Sequence, residues 1–250
     1  MQTIYEPAGR AREYAELALN LFRGCPHGCR YCYVPQCLHV DRERFHAEVD
    51  LRPGVLSALA KALPRYRDDP RRVLLCFSGD PFPRGRPELH EATIEALEML
   101  WENGQETATL TKNPWPAVKL VEAACRLMRH LPGLHDFGVS LSFADDGLAA
   151  EWEPGAAPPS ERRMALGAAR AAGLRTWISV EPVVTVSQAL LVLEQTGPHV
   201  DEVRVGRLNY HPQGRETDWL AAARQIDRAL ASLRAQGVTT VMKQDLRKLL

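Results

Sequence analysis

The stretch Gly24–Tyr33, GCPHGCRYCY, carries three cysteines within eight positions. Three residues separate Cys25 from Cys29, and two separate Cys29 from Cys32. A four-iron cluster is usually held by four cysteine thiolates, one on each iron. Three thiolates would leave one iron with an open coordination position, where a cofactor or substrate can bind. The spacing therefore favours a catalytic iron–sulfur centre over a simple electron carrier.

Two other interpretations of these cysteines stay open. A tetrahedral zinc site would need a fourth protein ligand, and His27, Cys37 and His39 are the nearby candidates. A ferredoxin-like electron-transfer site would likewise need a fourth thiolate. We read His27 as loop packing, or as a hydrogen-bond donor to a sulfide, and not as a metal ligand.

Composition places the chain among ordinary globular proteins, and its net charge favours no particular class of partner. Of 250 residues, 45% are hydrophobic and 25% are charged. Lys plus Arg and Asp plus Glu are 31 each, so no global basic field attracts nucleic acid. The arginines at positions 65, 67, 71 and 72 are read as a solvated turn. Six cysteines, four of them within 13 positions, suggest metal or redox chemistry in a reducing compartment.

No membrane segment is expected, because no apolar run approaches the roughly 20 residues that a span needs. The N-terminal residues mix charges with Pro7 and Gly9 and lack the apolar core of a signal peptide. We therefore expect a cytoplasmic protein.

Short β-rich runs alternate with longer helical patterns along the chain. The strand candidates are Leu17–Phe22, Val73–Ser78, Glu106–Thr111, Phe137–Phe143, Arg175–Val180, Glu202–Gly206 and the shorter Thr239–Met242. The helix candidates are Leu56–Leu63, Glu88–Trp101, Val118–Met128, Glu161–Ala172, Ser187–Glu194 and Asp218–Ala235. This alternation predicts parallel β/α units that wind one way into a barrel or an open sheet. Because no linker divides the chain, we expect one domain over residues 1–250.

The carboxyl ends of such strands share one rim, which carries the active site in barrels of this kind. The longest stretch without periodicity, Ala144–Ser160, follows the fourth strand and is expected to be a loop on that rim.

The cysteine spacing, with the aromatic Tyr31 just before the third cysteine, resembles the motif of the radical S-adenosylmethionine (SAM) superfamily. Residues 20–33 (NLFRGCPHGCRYCY) look like the corresponding stretch of radical SAM proteins similar to spore photoproduct lyase. The blocks SGDPF, TKN, VSLSF, EWEPGAAPP, ISVEPV and VGRLNYHP resemble a shorter group in that subfamily, often described as DNA-repair-photolyase-like. The likeness covers nearly the whole chain.

The resemblance implies an α/β fold, a partial (β/α)6 TIM-type barrel that forms the radical SAM core. It implies a [4Fe–4S] cluster on Cys25, Cys29 and Cys32, with SAM chelated at the open iron. An electron donor such as flavodoxin or ferredoxin would reduce the cluster, and SAM cleavage would give a 5′-deoxyadenosyl radical. We expect a monomer. The exact reaction, lyase-like or transferase, stays open.

The resemblance also assigns cofactor contacts. The block after the second strand would contact the SAM amino group, although this sequence has Ser-Gly-Asp where the superfamily has Gly-Gly-Glu. Lys112 would pair with the SAM carboxylate. Alternation along the fourth strand would turn Ser140 and Ser142 to the same, inner side. The full set of expected SAM contacts is Tyr31, Tyr33, Ser78, Gly79, Asp80, Lys112, Ser140, Ser142 and Glu181.

Substrate and catalytic residues are harder to assign. Trp152, Glu153 and Pro154 lie in the rim stretch, and Asn209, Tyr210 and His211 follow the sixth strand. These residues either face the substrate or belong to a loop ordered by Trp burial. His211 could titrate near neutral pH. Cys76 is a weaker candidate for a hydrogen donor. Its parity along the second strand differs from that of the lyase-type cysteine, so we read Cys76 as core.

The sequence leaves three candidate functions for this protein. The first is radical SAM chemistry on a nucleic-acid base, and the second is radical SAM modification of a small molecule or peptide. The third, from another class, is a non-catalytic iron–sulfur or zinc protein that binds a partner.

Overall fold

The computed structural model describes residues 3–67, 69–127 and 135–250. Its strands are β1 (Ile4–Tyr5), β2 (Leu17–Leu19), β3 (Phe22–Arg23), β4 (Asp50–Leu51), β5 (Val73–Leu75), β6 (Thr107–Thr111), β7 (His135–Ser140), β8 (Arg175–Val183), β9 (Glu202–Arg207) and β10 (Thr239–Met242). Its helices are α1 (Val34–Leu38), α2 (Arg42–Ala47), α3 (Val55–Ala62), α4 (His90–Glu102), α5 (Pro114–Leu127), α6 (Asp146–Trp152), α7 (Pro159–Ala171), α8 (Val186–Gln195), α9 (Gln213–Glu216), α10 (Trp219–Ala235) and α11 (Gln244–Arg247).

One sheet organises the described residues, in the order β1-β2-β5-β6-β7-β8-β9-β10. Within this sheet, neighbouring strands are parallel except for β1, which is antiparallel to β2. Strand order follows chain order, with helices between the strands, which is the winding of a partial β/α barrel. A separate antiparallel hairpin, β3–β4, precedes α3. The predicted α/β fold class is confirmed.

Alternation along β5 shows how the sheet separates two layers. Val73 and Leu75 pack with residues of α3 and α4, including Leu59. Leu74, between them, packs on the other face with Ala108 and Trp177. Successive strand residues point to opposite faces, so one face meets the helices and the other lines the barrel interior.

The segment before β2 lies between the first and last parallel strands. The Glu13 carboxylate accepts a hydrogen bond from the backbone nitrogen of Gln244, at 2.8 Å. Arg204 of β9 donates to the Tyr14 carbonyl, at 2.6 Å. The Tyr14 ring contacts Phe77 edge-on and lies 3.4 Å from Lys243 Nζ. The N-terminal segment therefore joins the two sides of the partial barrel.

An ion-pair chain runs across the starts of the parallel strands. Asp136 of β7 accepts from Arg72 and from Arg175, and Arg175 also pairs with Glu202, at 2.8 Å. Glu202 in turn pairs with Arg204, at 2.5 Å. These charges offset one another at the end of the barrel opposite the cysteines. Arg72 is thus part of an ion-pair network and not of the solvated turn that we expected.

Strand and helix predictions agree with the structure in position, with four corrections. The predicted strands Leu17–Phe22, Val73–Ser78 and Phe137–Phe143 end earlier, at Leu19, Leu75 and Ser140. The stretch 144–160, expected to be a loop, contains α6, whose first turn Asp145 caps by accepting from the Leu148 nitrogen at 2.7 Å. Residue 128, the end of one predicted helix, lies outside the described residues.

Candidate functional site

The cysteine loop begins at a glycine that no other residue could replace without strain. Gly24 has φ +76°, a conformation that L side chains rarely adopt. A Cβ added there would lie 2.1 Å from the Glu48 carbonyl oxygen and 2.7 Å from that of Phe45. The absence of a side chain thus lets the loop lie directly against the end of α2.

Helix α2 holds the loop at both ends. The Arg42 guanidinium donates to the carbonyl oxygens of Cys29, Arg30 and Cys32, the last at 2.7 Å. His46 Nδ1 donates to the Cys25 carbonyl oxygen, at 2.8 Å. Sequence reasoning missed this helix, which has only six residues. The one local signal was Asp41, which accepts from the Arg44 nitrogen as an N-cap.

The carboxyl ends of the strands surround a cavity of about 190 Å³. All three thiols, of Cys25, Cys29 and Cys32, line it. Of the expected SAM contacts, those that also line it are Tyr31, Tyr33, Ser78, Gly79, Asp80, Lys112, Ser140 and Glu181. Residues that are far apart in sequence thus meet at one cavity.

Ser142 is the exception among the expected contacts. It is fully buried, does not line the cavity, and lies 3.3 Å from the Tyr31 hydroxyl. Since β7 ends at Ser140, the strand alternation that would turn both serines the same way does not extend to Ser142. A contact between Ser142 and SAM therefore stays a prediction, without strand alternation to support it.

Burial keeps the thiols protonated in the absence of a metal. Burial raises the pKa of Cys29 to about 12 and also raises the pKa values of Cys25 and Cys32. Metal coordination would remove these protons, because the thiolate is the ligand. In the described ranges, no three His, Cys, Asp or Glu side chains form a group that could hold one metal ion.

Asp80 accepts hydrogen bonds from several segments of the rim. One carboxylate oxygen accepts from the Phe82 nitrogen at 2.9 Å and from the Thr111 hydroxyl at 2.6 Å. The other accepts from the Lys112 nitrogen at 2.7 Å and lies 3.5 Å from His27 Nδ1. A carboxylate offers about four lone-pair sites, of which three accept these hydrogen bonds and the fourth lies near His27. The carboxylate therefore connects β5, β6 and the cysteine loop.

His27 lies inside the loop and is 2% exposed. Burial lowers its pKa to about 4, so the ring is neutral near pH 7. Its Nε2 is buried, and no hydrogen-bond partner for it occurs among the residues described. The ring packs beside Asp80, which agrees with loop packing, and its unpartnered nitrogen belongs to a residue that lines the cavity.

A buried ion-pair network lies behind Tyr31. Glu153 accepts from Arg162 at 2.5 Å and from the Tyr31 hydroxyl, and lies 3.9 Å from Lys112 Nζ. Burial opposes ionisation of Glu153, but Arg162 and Lys112 hold its pKa below the usual value. Trp152 stacks on Tyr31 with ring centroids 6.4 Å apart. Trp152 is half-buried, so both interpretations of this segment, substrate contact and ordering by Trp burial, stay open.

Glu181 is held by residues that sequence reasoning did not single out. Lys243 Nζ lies 2.6 Å from the Glu181 carboxylate, and the Tyr14 hydroxyl donates to it. Gly206 leaves room for this carboxylate, since a Cβ there would lie 2.5 Å from its carbon. Burial lowers the pKa of Lys243, although Glu181 opposes that shift.

Of the weak catalytic candidates, Cys76 lines the cavity and His211 does not. Cys76 lines it, with φ +61° just beyond the end of β5, so the parity argument along a strand does not apply to it. Burial raises the pKa of its thiol to about 12. His211 lies outside the cavity lining, with its ring 5.2 Å from that of Trp152.

Fold and cavity together define a partial β/α barrel whose rim gathers three thiols with cationic and hydroxyl side chains. The family profile described as "Radical SAM superfamily" matches residues 19–202. The chain belongs to the radical SAM superfamily.

Among curated proteins, an uncharacterised protein of Mycobacterium tuberculosis is 30% identical over 199 residues, which cover 74% of this chain and 53% of that protein. One from Acidianus two-tailed virus is 25% identical over 193 residues, 72% of this chain and 60% of the relative. The chain thus spans little more than half the length of these relatives.

Two solved structures share the fold. A spore photoproduct lyase mutant with bound SAM and a dinucleoside spore photoproduct matches with a TM-score of 0.69. The two chains are 14% identical, and the match covers 94% of this chain and 78% of that one. SuiB of Streptococcus suis, bound to SAM, matches with a TM-score of 0.62 at 13% identity, covering 90% of this chain and 49% of that one. The described part of the chain has no helix with the length and hydropathy of a membrane span.

Proposed function

We propose that this protein is a radical SAM enzyme that reductively cleaves SAM at a [4Fe–4S] cluster held by Cys25, Cys29 and Cys32. The observation that carries the proposal is the convergence of these three thiols with eight of the nine expected SAM contacts on one cavity. Membership of the superfamily supports it.

The residues present fit a cluster with SAM. Three thiols line one cavity, that of Cys29 buried and those of Cys25 and Cys32 half-buried. Among the described side chains, the one further cysteine that lines the cavity is Cys76, beyond the end of β5. Cys37 is exposed and does not line the cavity, so it does not supply a fourth ligand there. When bound, the cluster and SAM supply one-electron reduction and a 5′-deoxyadenosyl radical.

Several residues of the chain would bind and orient SAM. Lys112 lies beside the Tyr31 ring, 5.7 Å from its centroid, and would bind the SAM carboxylate. Glu181, fixed by Lys243, would accept hydrogen bonds from ribose hydroxyls. Ser140 lies at the end of β7 and would donate to the same cofactor. For Asp80, direct contact with the SAM amino group stays a prediction, since protein groups already surround its oxygens.

For the substrate we propose a nucleic-acid base as the first candidate. The spore photoproduct lyase structure, which shares this fold, holds a dinucleoside spore photoproduct. A small molecule or peptide is the alternative. A reduced flavodoxin or ferredoxin is the proposed electron donor.

Anaerobic reconstitution tests the proposal. The protein is loaded with iron and sulfide, reduced with dithionite and incubated with SAM, and 5′-deoxyadenosine is measured by mass spectrometry. We expect 5′-deoxyadenosine from the wild-type protein. We expect Cys29→Ala to lose both the four-iron absorbance and the product, whereas Cys37→Ala, the matched control, keeps both.

Two results would contradict the proposal. One is a loaded, reduced wild-type protein that makes no 5′-deoxyadenosine. The other is a Cys29→Ala variant that retains the four-iron spectrum.

A further inference from the structure

In addition to Lys112, a second cationic side chain, Arg207, lines the cavity and is not among the expected SAM contacts. Arg207 is the last residue of β9 and lines the cavity. Its guanidinium lies over the Trp219 ring, 5.2 Å from the centroid. Its Nε is buried without a hydrogen-bond partner among the described residues. Because this nitrogen is buried, an anion in the cavity would meet the terminal nitrogens of the guanidinium, which also donate hydrogen bonds.

The SAM carboxylate does not account for both cations. Lys112 follows β6, and its ammonium is directed toward Glu153, 3.9 Å away. Arg207 ends β9, three strand spacings of about 4.8 Å further along the sheet. The Trp219 contact holds its guanidinium on the α10 side. SAM has a single carboxylate, so Arg207 is left for a different anion.

An aromatic surface lies at the edge of the same cavity. Tyr210, three residues beyond Arg207, is 65% exposed, and its ring centroid is 5.7 Å from that of Tyr33. Tyr33 lines the cavity, whereas Tyr210 lies just outside it. Tyr210 has φ +60°, a strained conformation for a non-glycine residue, and such strain is concentrated at functional sites. Asn209 lies between Arg207 and Tyr210 in the sequence. Its side-chain amide donates to the Arg207 carbonyl oxygen at 2.9 Å, which fixes this segment.

We propose that Arg207 and Tyr210 form a substrate subsite that recognises a planar ring carrying an anionic group. Arg207 binds the anion, a phosphate or a carboxylate, through charge-assisted hydrogen bonds. Tyr210 stacks on the ring at the cavity mouth. The inference rests on the proposed function, because it assumes that substrate meets SAM in this cavity.

The test measures binding to the cluster-loaded protein with SAM and without reductant, so that no turnover occurs. Calorimetry compares two pairs of probes: deoxythymidine 5′-monophosphate with deoxythymidine, and 4-hydroxyphenylacetate with 4-methylphenol. We expect the wild-type protein to bind the anionic member of at least one pair about tenfold more tightly than its neutral partner. A preference in the first pair identifies a phosphate, and one in the second pair a carboxylate.

Arg207→Gln is expected to abolish that preference, whereas Arg224→Gln, an exposed arginine on α10, keeps it. Tyr210→Ala is expected to weaken both members of the preferred pair about fivefold, through lost stacking. This second variant changes an exposed ring and gives an answer even if Arg207→Gln does not fold.

The inference is overturned if the wild-type protein shows no anion preference in either pair, if Arg207→Gln retains it, or if Tyr210→Ala binds unchanged. Formation of 5′-deoxyadenosine by the wild-type protein without substrate tests the proposed function separately. The two ideas can therefore fail independently.

Discussion

Replacing Asp80 distinguishes two roles for its carboxylate. The superfamily resemblance implies a contact with the SAM amino group, whereas the structure surrounds Asp80 with protein donors. In Asp80→Asn, one oxygen becomes an NH2 group that must face either the Phe82 nitrogen and Thr111 hydroxyl or the Lys112 nitrogen. Asp80 is 5% exposed, so water does not replace the lost acceptor.

The cost follows from the hydrogen bonds lost. One or two buried donors lose their acceptor, and each costs about 1–3 kcal/mol. We expect Asp80→Asn to lower the free energy of unfolding by about 2–4 kcal/mol without any SAM present. Asp80→Glu restores the superfamily's glutamate but adds a methylene to a packed site, at a cost of about 1–3 kcal/mol.

The assay is urea unfolding of the metal-free protein under reducing conditions, followed by tryptophan fluorescence. Asp227→Asn is the matched control, because Asp227 is an exposed carboxylate whose pair with Arg234 contributes about 0–1 kcal/mol. If Asp80→Asn unfolds like that control while Asp80→Glu binds SAM more tightly than wild type, our reasoning is refuted and Asp80 serves chiefly as a SAM ligand.

Two further changes test the loop and the core. Gly24→Ala places a Cβ 2.1 Å from the Glu48 carbonyl oxygen, and we expect urea unfolding to show a loss of about 2–4 kcal/mol. Gly85→Ala, with a similar φ and nothing within 4 Å, should lose only about 1 kcal/mol, and equal losses would argue against the close approach. Burial lowers the pKa of His135 to about 3, so the unfolded chain binds its proton near pH 6.5 and the folded chain does not. Stability from this group is therefore complete above pH 6.5 and falls by roughly 1.4 kcal/mol per pH unit as the pH drops from there toward 3. Unfolding midpoints between pH 4 and 6 should show a shallower pH dependence in His135→Gln than in wild type, and parallel curves would contradict the buried neutral ring.

The sequence revealed the cysteine centre and the β/α alternation because both are local patterns. The cysteine spacing predicted that the three thiols share one site. Positions near the ends of predicted strands indicated that Lys112 and Glu181 lie at the same rim, and both line the cavity. Local patterns fail where a tertiary contact determines the structure. Helix α2 is short and holds the cysteine loop through Arg42, a contact with no periodic signature.

The same limit explains the other differences. Lys243, which follows β10, meets Glu181 from 62 residues further along the chain, and Tyr14 reaches Glu181 from near the other end. No window of sequence contains these partners. Cys76 was interpreted with strand parity, but a left-handed residue beyond β5 breaks that parity. The buried ion pair of Glu153 was not predicted, because its partner, Arg162, lies in the next helix.

The Tyr14 side chain borders two separate spaces in the protein. It lines the rim cavity and also a cleft of about 250 Å³ at the far end, among the ion pairs of Arg72 and Glu202. Within the described residues, it is the one side chain that borders both spaces. A change that shortens Tyr14 would therefore alter the rim cavity and the far cleft together, although the two spaces lie at opposite ends of the strands.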